Sequence, residues 1–167
     1  MIEVRIEDLA FYSGDAIIRP ATATLAATTP LLRRLELAGG AKLLDQLRVN
    51  EPLPVGSAVV TGAGELPVEL MVHAIVSSQT ERVTREGVRR ALRSALERAN
   101  AWQIARVGIP PLGLGAGNLD LEASAELLAE EVTRHTREMA FPTHVTIVAE
   151  TSDEAALLEL YMARSAA

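Results

Sequence analysis

The chain has 167 residues, which is enough for one domain with a substantial core and too few for two domains of ordinary size. Its 16 basic and 22 acidic side chains give a formal charge of −6, so no general attraction to nucleic acid or to an anionic membrane is expected. There is no cysteine, which excludes disulfides, thiolate zinc sites and cysteine nucleophiles. We therefore predict a single domain over residues 1–167 that binds neither nucleic acid nor membranes.

The first part of the chain predicts two strands and a helix. Residues Met1–Ile6 alternate between apolar and polar, which is typical of a half-exposed strand at a sheet edge. Ala16–Ile18 is a short apolar run that predicts a buried strand ending at Pro20, where a backbone donor is missing. Thr29, followed by a proline, predicts the start of a helix that ends at Gly39-Gly40, with a second helical piece after it.

The rest of the chain alternates strands with longer helices. Strands are predicted at 57–61, 70–76, 106–109 and 144–148, and helices at 84–100, after Asp120 and after Thr151. Helices of ten or more residues between strands favour the α/β class, with a mostly parallel sheet covered on both faces and an antiparallel pair around 57–76. In such sheets ligands bind beyond the carboxyl ends of the strands.

Three glycines at alternate positions follow the strand at 106–109, namely Gly113, Gly115 and Gly117, and a helical pattern begins directly after them at Asp120. Glycine allows a positive φ and a close approach to the main chain, while the first turn of a helix offers free N–H groups. This combination suits a phosphate or a diphosphate. The alternative is a turn that only joins a strand to a helix, because the spacing matches neither GxGxxG nor the lysine-bearing phosphate loop.

Side chains for metal or acid–base chemistry are scarce. The chain has three histidines, and His73 lies in a strand pattern that favours a packed structural role. Acidic pairs such as Glu130-Glu131 have the spacing of a solvated helix face. A serine hydrolase is not indicated, because no Gly-x-Ser-x-Gly motif occurs. We expect no metal ion and no cofactor.

Four segments taken together resemble the macrodomain family, an α/β fold that binds ADP-ribose. Glu7-Asp8-Leu9 resembles the family's Gly-Asp-Ile, and Ala16–Thr22 resembles its Ala-Ile-Val-Asn-Ala-Ala-Asn. Thr61–Pro67 with Met71–Val76 resembles its threonine-glycine-leucine-proline turn and Ile-His-Ala-Val strand, and Ile109–Gly117 resembles its proline-led diphosphate loop. The resemblance spans nearly the whole chain. It implies a three-layer α/β/α fold with a central mixed, mostly parallel sheet.

The resemblance also implies a ligand site. Asp8 would accept a hydrogen bond from the adenine amino group, with the Leu9 backbone beside it. The loop from Gly113 to Asn118 would surround the diphosphate with main-chain N–H groups. The implied ligand-binding residues are Asp8, Leu9, Ala21, Thr22, Thr29, Gly113, Leu114, Gly115, Ala116, Gly117 and Asn118.

The chain departs from the family at its distal ribose end. Thr22 stands where hydrolytic members carry an asparagine, and Arg19-Pro20 replaces Asn-Ala. Ala26–Pro30 replaces a run of three glycines, and Ala149–Thr151 replaces an aromatic residue that commonly stacks on adenine. Threonine is shorter than asparagine and lacks its paired amide donor and acceptor, so enzymatic activity is left open.

Three functions are therefore considered. The first is binding of ADP-ribose or a related nucleotide through the glycine loop, and the second is a hydrolase that removes ADP-ribosyl or acetyl groups from ADP-ribose esters. The third is a catalytically degenerate domain with an assembly role, because Leu31–Leu37 carries more leucine than a short surface helix requires. We expect a soluble cytoplasmic protein whose partner is a small molecule, with homo-oligomerisation left open.

Overall fold

The computed structural model describes residues 1–167 and contains one six-stranded sheet with helices on both faces. The strands are β1 (Ile2–Ile6), β2 (Ala16–Thr22), β3 (Ala58–Gly62), β4 (Leu70–Ser77), β5 (Arg106–Ile109) and β6 (His144–Ala149). The helices are α1 (Pro30–Gln46), α2 (Arg85–Ala101), α3 (Leu121–Glu138) and α4 (Ser152–Ala166), with a 3₁₀ turn at Leu9–Phe11. The predicted three-layer α/β/α fold is confirmed.

The strand order is β1-β6-β5-β2-β4-β3, and every neighbouring pair is parallel except β3 with β4. The edge position of β1 and the antiparallel pair agree with the sequence prediction. Because five strands run in the same direction, their carboxyl ends meet at one edge of the sheet. The segments that follow β1, β2, β5 and β6 are thus brought together there.

The prediction that β2 ends at Pro20 is wrong, because the strand continues to Thr22. Along one side it pairs with β4 as far as Thr22 opposite Ser77. Along the other side it pairs with β5 only at Ala16 and Ile17. Pro20 lies beyond that pairing, so its missing N–H removes no ladder bond from a neighbouring strand.

Helix α1 begins and bends where the sequence predicts. Thr29 caps it, because its side-chain oxygen accepts a hydrogen bond from the Leu32 N–H at 3.4 Å, and Pro30 is the first helical residue. Gly40 has φ 69°, which divides the helix into two pieces. The first piece directs its N-terminus toward the carboxyl edge of the sheet.

Strand side chains alternate between the two faces, so the core has two main parts. Ile18 and Val72 belong to the cluster formed with α2, α3 and α4. Ile17 and Met71 belong to the cluster formed with α1 and the 3₁₀ turn. None of the four helices combines the length and the apolar character that a membrane crossing requires.

Candidate functional site

A cavity of about 350 Å³ lies at the carboxyl edge of the sheet, beside Pro20 of β2 and beyond the ends of β5 and β6. We call it the cleft. It is lined by Pro20, Thr28, Thr29, Pro30, Leu31, Leu32, Arg34, Pro110, Pro111, Leu114, Glu150 and Glu154. This is the edge at which open α/β sheets bind ligands.

The alternate glycines of the loop between β5 and α3 are required by its backbone. Gly113, Gly115 and Gly117 have φ values of 83°, 135° and 78°, in the region that residues with a Cβ rarely adopt. The residues between them, Leu114 and Ala116, have no positive φ. The spacing of the three glycines therefore matches a backbone in which every second residue has a positive φ.

This loop leaves a row of main-chain donors free. The N–H groups from Gly113 to Gly117 make no hydrogen bond within the protein, and the loop has no basic side chain. The loop is closed instead by the two amides that follow, because Asn118 N–H donates to the Gly115 carbonyl and Leu119 N–H to the Gly113 carbonyl, both at 3.0 Å. Five adjacent donors therefore remain for a ligand.

Asn118 differs from the other predicted loop residues. Its main-chain N–H is occupied, and its side-chain Nδ2 lies 3.5 Å from the Leu114 carbonyl oxygen. Its role in the structure is to hold the loop closed. Of the amides that were predicted to surround a diphosphate, those from Gly113 to Gly117 are free and that of Asn118 is not.

The segment before α1 forms the opposite wall of the cleft. A Cβ added at Gly115 would lie 3.6 Å from the Thr28 carbonyl oxygen, so the two walls nearly touch at this point. Thr29 and Leu114, both predicted from the sequence, line the cavity between them. Any ligand on the loop amides is thereby confined between two stretches of main chain.

Asp8 and Leu9 lie next to the cleft. Asp8 is exposed, and its Oδ1 accepts a hydrogen bond from the Ala10 N–H at 3.0 Å, which caps the 3₁₀ turn. The Leu9 side chain is buried in the core, while its N–H makes no hydrogen bond within the protein. Asp8 lines a shallow depression together with Leu31, Arg34 and Glu150. Since these last three also line the cleft, the depression and the cleft are continuous.

Ala21 and Thr22, which were also predicted as ligand residues, do not line the cleft. Ala21 is fully buried. The Thr22 hydroxyl accepts a hydrogen bond from the Ala26 N–H at 3.1 Å and lies 3.3 Å from the Thr24 hydroxyl. Thr22 borders a separate cavity of about 450 Å³. The hydroxyl therefore stabilises its own turn.

The charged residues of the cleft were not identified from the sequence. Arg34 Nη2 donates to Glu150 Oε1 at 3.1 Å, which joins α1 to the turn before α4. The Glu150 N–H donates to Glu154 Oε1 at 3.3 Å, and burial raises the pKa of Glu154. Thr151 caps α4 as predicted, accepting the Glu154 N–H at 3.2 Å. The cap pattern was the sequence signal near these residues, and it does not reveal which of them faces the cleft.

Comparison with known proteins identifies the family. A family profile described as Macro domain matches residues 20–128 of this chain. The chain belongs to the macrodomain family.

Relatives and solved structures extend the match. An uncharacterised protein of Aquifex aeolicus is 31% identical over 122 residues, covering 72% of this chain and 74% of that protein. The O-acetyl-ADP-ribose deacetylase of Shigella flexneri is 27% identical over 158 residues, covering 91% and 89%. A structure of the Oceanobacillus iheyensis macrodomain with ADP superposes with a TM-score of 0.85 at 18% identity, covering 96% and 89%. Several other relatives are longer, and the match spans as little as 36% of their length.

This macrodomain contains a fully buried arginine next to the cleft residue Pro20. Arg19 Nε donates to His73 Nδ1, Nη1 to Glu36 Oε1 and Nη2 to the Leu25 carbonyl, each at 2.8 Å. Burial and the neighbouring Arg19 charge hold the pKa of His73 well below its usual value. The neutral ring must then carry its proton on Nε2, which lies 2.8 Å from the Thr61 hydroxyl. His73 is thus packed and structural, as predicted.

The buried arginine fixes the segment that leads to the cleft. Leu25 has φ 63°, an unfavourable value for a side-chain-bearing residue, and its carbonyl is the one that Arg19 holds. Three residues later the chain reaches Thr28 at the cleft wall. Arg19 therefore stabilises the backbone path of this wall from inside the macrodomain.

Proposed function

We propose that this macrodomain binds ADP-ribose or a related nucleoside diphosphate in the cleft, with the diphosphate on the loop amides. The observation that carries the proposal is the row of free N–H groups from Gly113 to Gly117. Main-chain dipoles of this kind hold anions without a basic side chain. They are compatible with a protein whose formal charge is −6.

The base would lie in the depression beside the cleft. Asp8 uses Oδ1 for the Ala10 N–H, which leaves Oδ2 to accept a hydrogen bond from an exocyclic amino group. The free Leu9 N–H can donate to an adjacent ring nitrogen. Adenine presents such a donor and acceptor side by side, so this end of the site favours an adenine nucleotide. Thr29 and Leu114 would enclose the sugar and diphosphate between the two walls.

The named relatives agree with this ligand class. The Oceanobacillus iheyensis structure contains ADP, and the Shigella flexneri relative is named for its action on O-acetyl-ADP-ribose. Both compounds contain the adenosine diphosphate unit. That shared unit is the part of the ligand that the loop amides and Asp8 would recognise.

Calorimetry with ADP-ribose and ADP tests the proposal. We expect the wild type to bind both, and we expect Gly115→Glu to weaken binding by about 100-fold or more, because it adds a carboxylate between the loop and Thr28. Ala41→Glu, which adds the same charge at an exposed position of α1, is the matched control. Absence of binding by the wild type, or unchanged binding by Gly115→Glu, would refute the proposal.

A second candidate is hydrolysis of an ADP-ribose ester, which the Shigella flexneri relative supports. Thr22 offers no free hydroxyl to the cleft, so a water would have to be positioned by the ligand and the loop. Glu150 and Glu154 are the carboxylates that line the cleft. Release of acetate from O-acetyl-ADP-ribose at equal enzyme and substrate concentrations would support this reaction. Absence of release would refute it and leave ligand binding as the proposed function.

An assembly role for α1 remains a separate prediction. Leu32 and Leu35 are buried in the core, whereas Leu37 is 76% exposed. If copies associate through this helix, light scattering should give a mass above that of one chain, and Leu37→Glu should lower it. A cytoplasmic location likewise remains a prediction, which fractionation of cells can test.

A further inference from the structure

The charged groups of the cleft are unbalanced for an anionic ligand. Among the residues that line it, Arg34 is the sole cation, and Glu150 and Glu154 are both acidic. Arg34 also borders the depression that contains Asp8. It therefore lies at the junction through which a nucleotide must pass if its base is near Asp8 and its diphosphate near the loop.

In the free protein this cation is already paired. Arg34 Nη2 lies 3.1 Å from Glu150 Oε1, and the two side chains are 62% and 46% exposed. Exposed pairs of this kind contribute little to stability, because water solvates both partners and salt screens the attraction. Breaking the contact therefore costs little free energy.

The backbone of Glu150 is held independently of its side chain. Its N–H donates to Glu154 Oε1, and the next residue, Thr151, caps α4. The carboxylate of Glu150 can therefore turn into solvent while the turn between β6 and α4 keeps its position. The released Arg34 guanidinium can then present its planar donors to a phosphate oxygen.

We infer that Arg34 is the cation that binds the anionic part of the ligand and that Glu150 is its internal competitor. Ligand binding replaces the Glu150 carboxylate with a phosphate oxygen at the Arg34 guanidinium. This inference rests on the proposed function. It makes Arg34 a specificity-determining residue, which favours nucleoside diphosphates over uncharged nucleosides.

The wild type, three variants and two ligands test the exchange. Dissociation constants for ADP-ribose and adenosine are measured by NMR titration of the wild type, Glu150→Gln, Arg34→Gln and the Arg34→Gln/Glu150→Gln double variant. Arg33→Gln is the matched control, because Arg33 is the exposed neighbour of Arg34 on α1 and lines none of these cavities. A further control, Glu159→Gln, removes an exposed carboxylate from α4 outside the cleft.

Exchange predicts a specific pattern of affinities. Glu150→Gln should tighten ADP-ribose binding by about 2- to 5-fold, as expected when an exposed charge pair is removed. Arg34→Gln should weaken it by about 10-fold, as expected for the loss of a hydrogen bond between charged groups. Adenosine binding should not change, and neither should the behaviour of the two controls. In the Arg34→Gln background, removing the Glu150 carboxylate should give no further gain, because there is no cation left to release.

The remaining outcomes are distinguishable from one another, and all but one of them overturn the inference. Equal tightening by Glu150→Gln with and without Arg34 would mean that Glu150 acts by direct repulsion, so competition would be refuted while ADP-ribose binding stands. Unchanged affinity in both single variants would refute the role of Arg34. If the wild type binds neither ligand, binding of ADP-ribose by Glu150→Gln alone would uphold competition, and its failure to bind would refute both proposals.

Discussion

Replacing the buried Arg19 with methionine should destabilise this macrodomain by about 3 kcal/mol. The substitution keeps a long unbranched side chain but removes the donors to His73 Nδ1 and to the Leu25 carbonyl. Each buried acceptor left without a donor costs about 1–3 kcal/mol, which gives roughly 2–6 kcal/mol for the two. Losing the cost of burying a guanidinium offsets part of this sum. The loss of the contact with Glu36 adds little to the destabilisation, because the Glu36 side chain is 17% exposed and water can solvate its carboxylate.

Urea denaturation followed by far-ultraviolet circular dichroism measures the effect. For a chain of this length, 3 kcal/mol corresponds to a fall in Tm of about 6–12 °C. Arg48→Met is the control, since Arg48 and its partner Asp45 are 84% and 70% exposed, and it should change stability by less than about 0.5 kcal/mol.

A double-mutant cycle with Glu36→Gln tests the reasoning further. Removing the carboxylate alone leaves the Arg19 guanidinium buried without its counter-charge, so this variant should be destabilised by about 3 kcal/mol as well. The double variant should then be more stable than the sum of the two effects predicts. Additive effects, or an Arg19→Met variant within about 1 kcal/mol of the wild type, would refute the view that this pair is a coupled buried unit.

Three further predictions concern protonation and the ligand. Because the pKa of His73 is lower in the folded than in the unfolded chain, its contribution to stability is complete above about pH 6.5 and falls as the pH decreases, by up to about 1.4 kcal/mol per pH unit. Unfolding curves measured at several pH values should therefore show that His73→Gln loses less stability than the wild type as the pH falls. An identical pH dependence of the two proteins would contradict this. Gly115→Ala and Gly117→Ala both strain a positive φ, but only the first places a methyl group near Asn118 and Thr28, so calorimetry should show the larger loss of ADP-ribose affinity for Gly115→Ala. Asp8→Ala should weaken binding of ADP-ribose by about 10-fold and leave that of ribose 5-phosphate unchanged, as the loss of one base-specific hydrogen bond requires; a uniform loss for both ligands would exclude base recognition by Asp8.

The parts of the fold that were predictable are those specified by neighbouring residues. The alternation of Gly113, Gly115 and Gly117 predicted a loop with unusual backbone angles, because glycine is needed wherever φ is positive. Thr29 predicted a helix start, since a cap acts on amides three residues away. Local patterns of this kind are readable from one sequence.

The parts that were missed depend on residues distant in the chain. Arg34 and Glu150 are 116 positions apart, and Arg19 and His73 are 54 apart, so no spacing rule connects them. Pro20 was read with a rule that assumes neighbours on both sides of a strand, whereas β5 diverges before that residue. Each of these features is decided by which elements pack together.

The divergence of β2 from β5 produces a fork in the sheet, and three prolines border it. Pro20 lies on one branch, and Pro110 and Pro111 extend the other. A proline has no N–H, so these positions cannot donate the hydrogen bonds that would continue the pairing of β2 with β5. Strands β2 and β5 are therefore unpaired beyond Ile17, and a ligand that occupies the fork would disrupt no strand pairing.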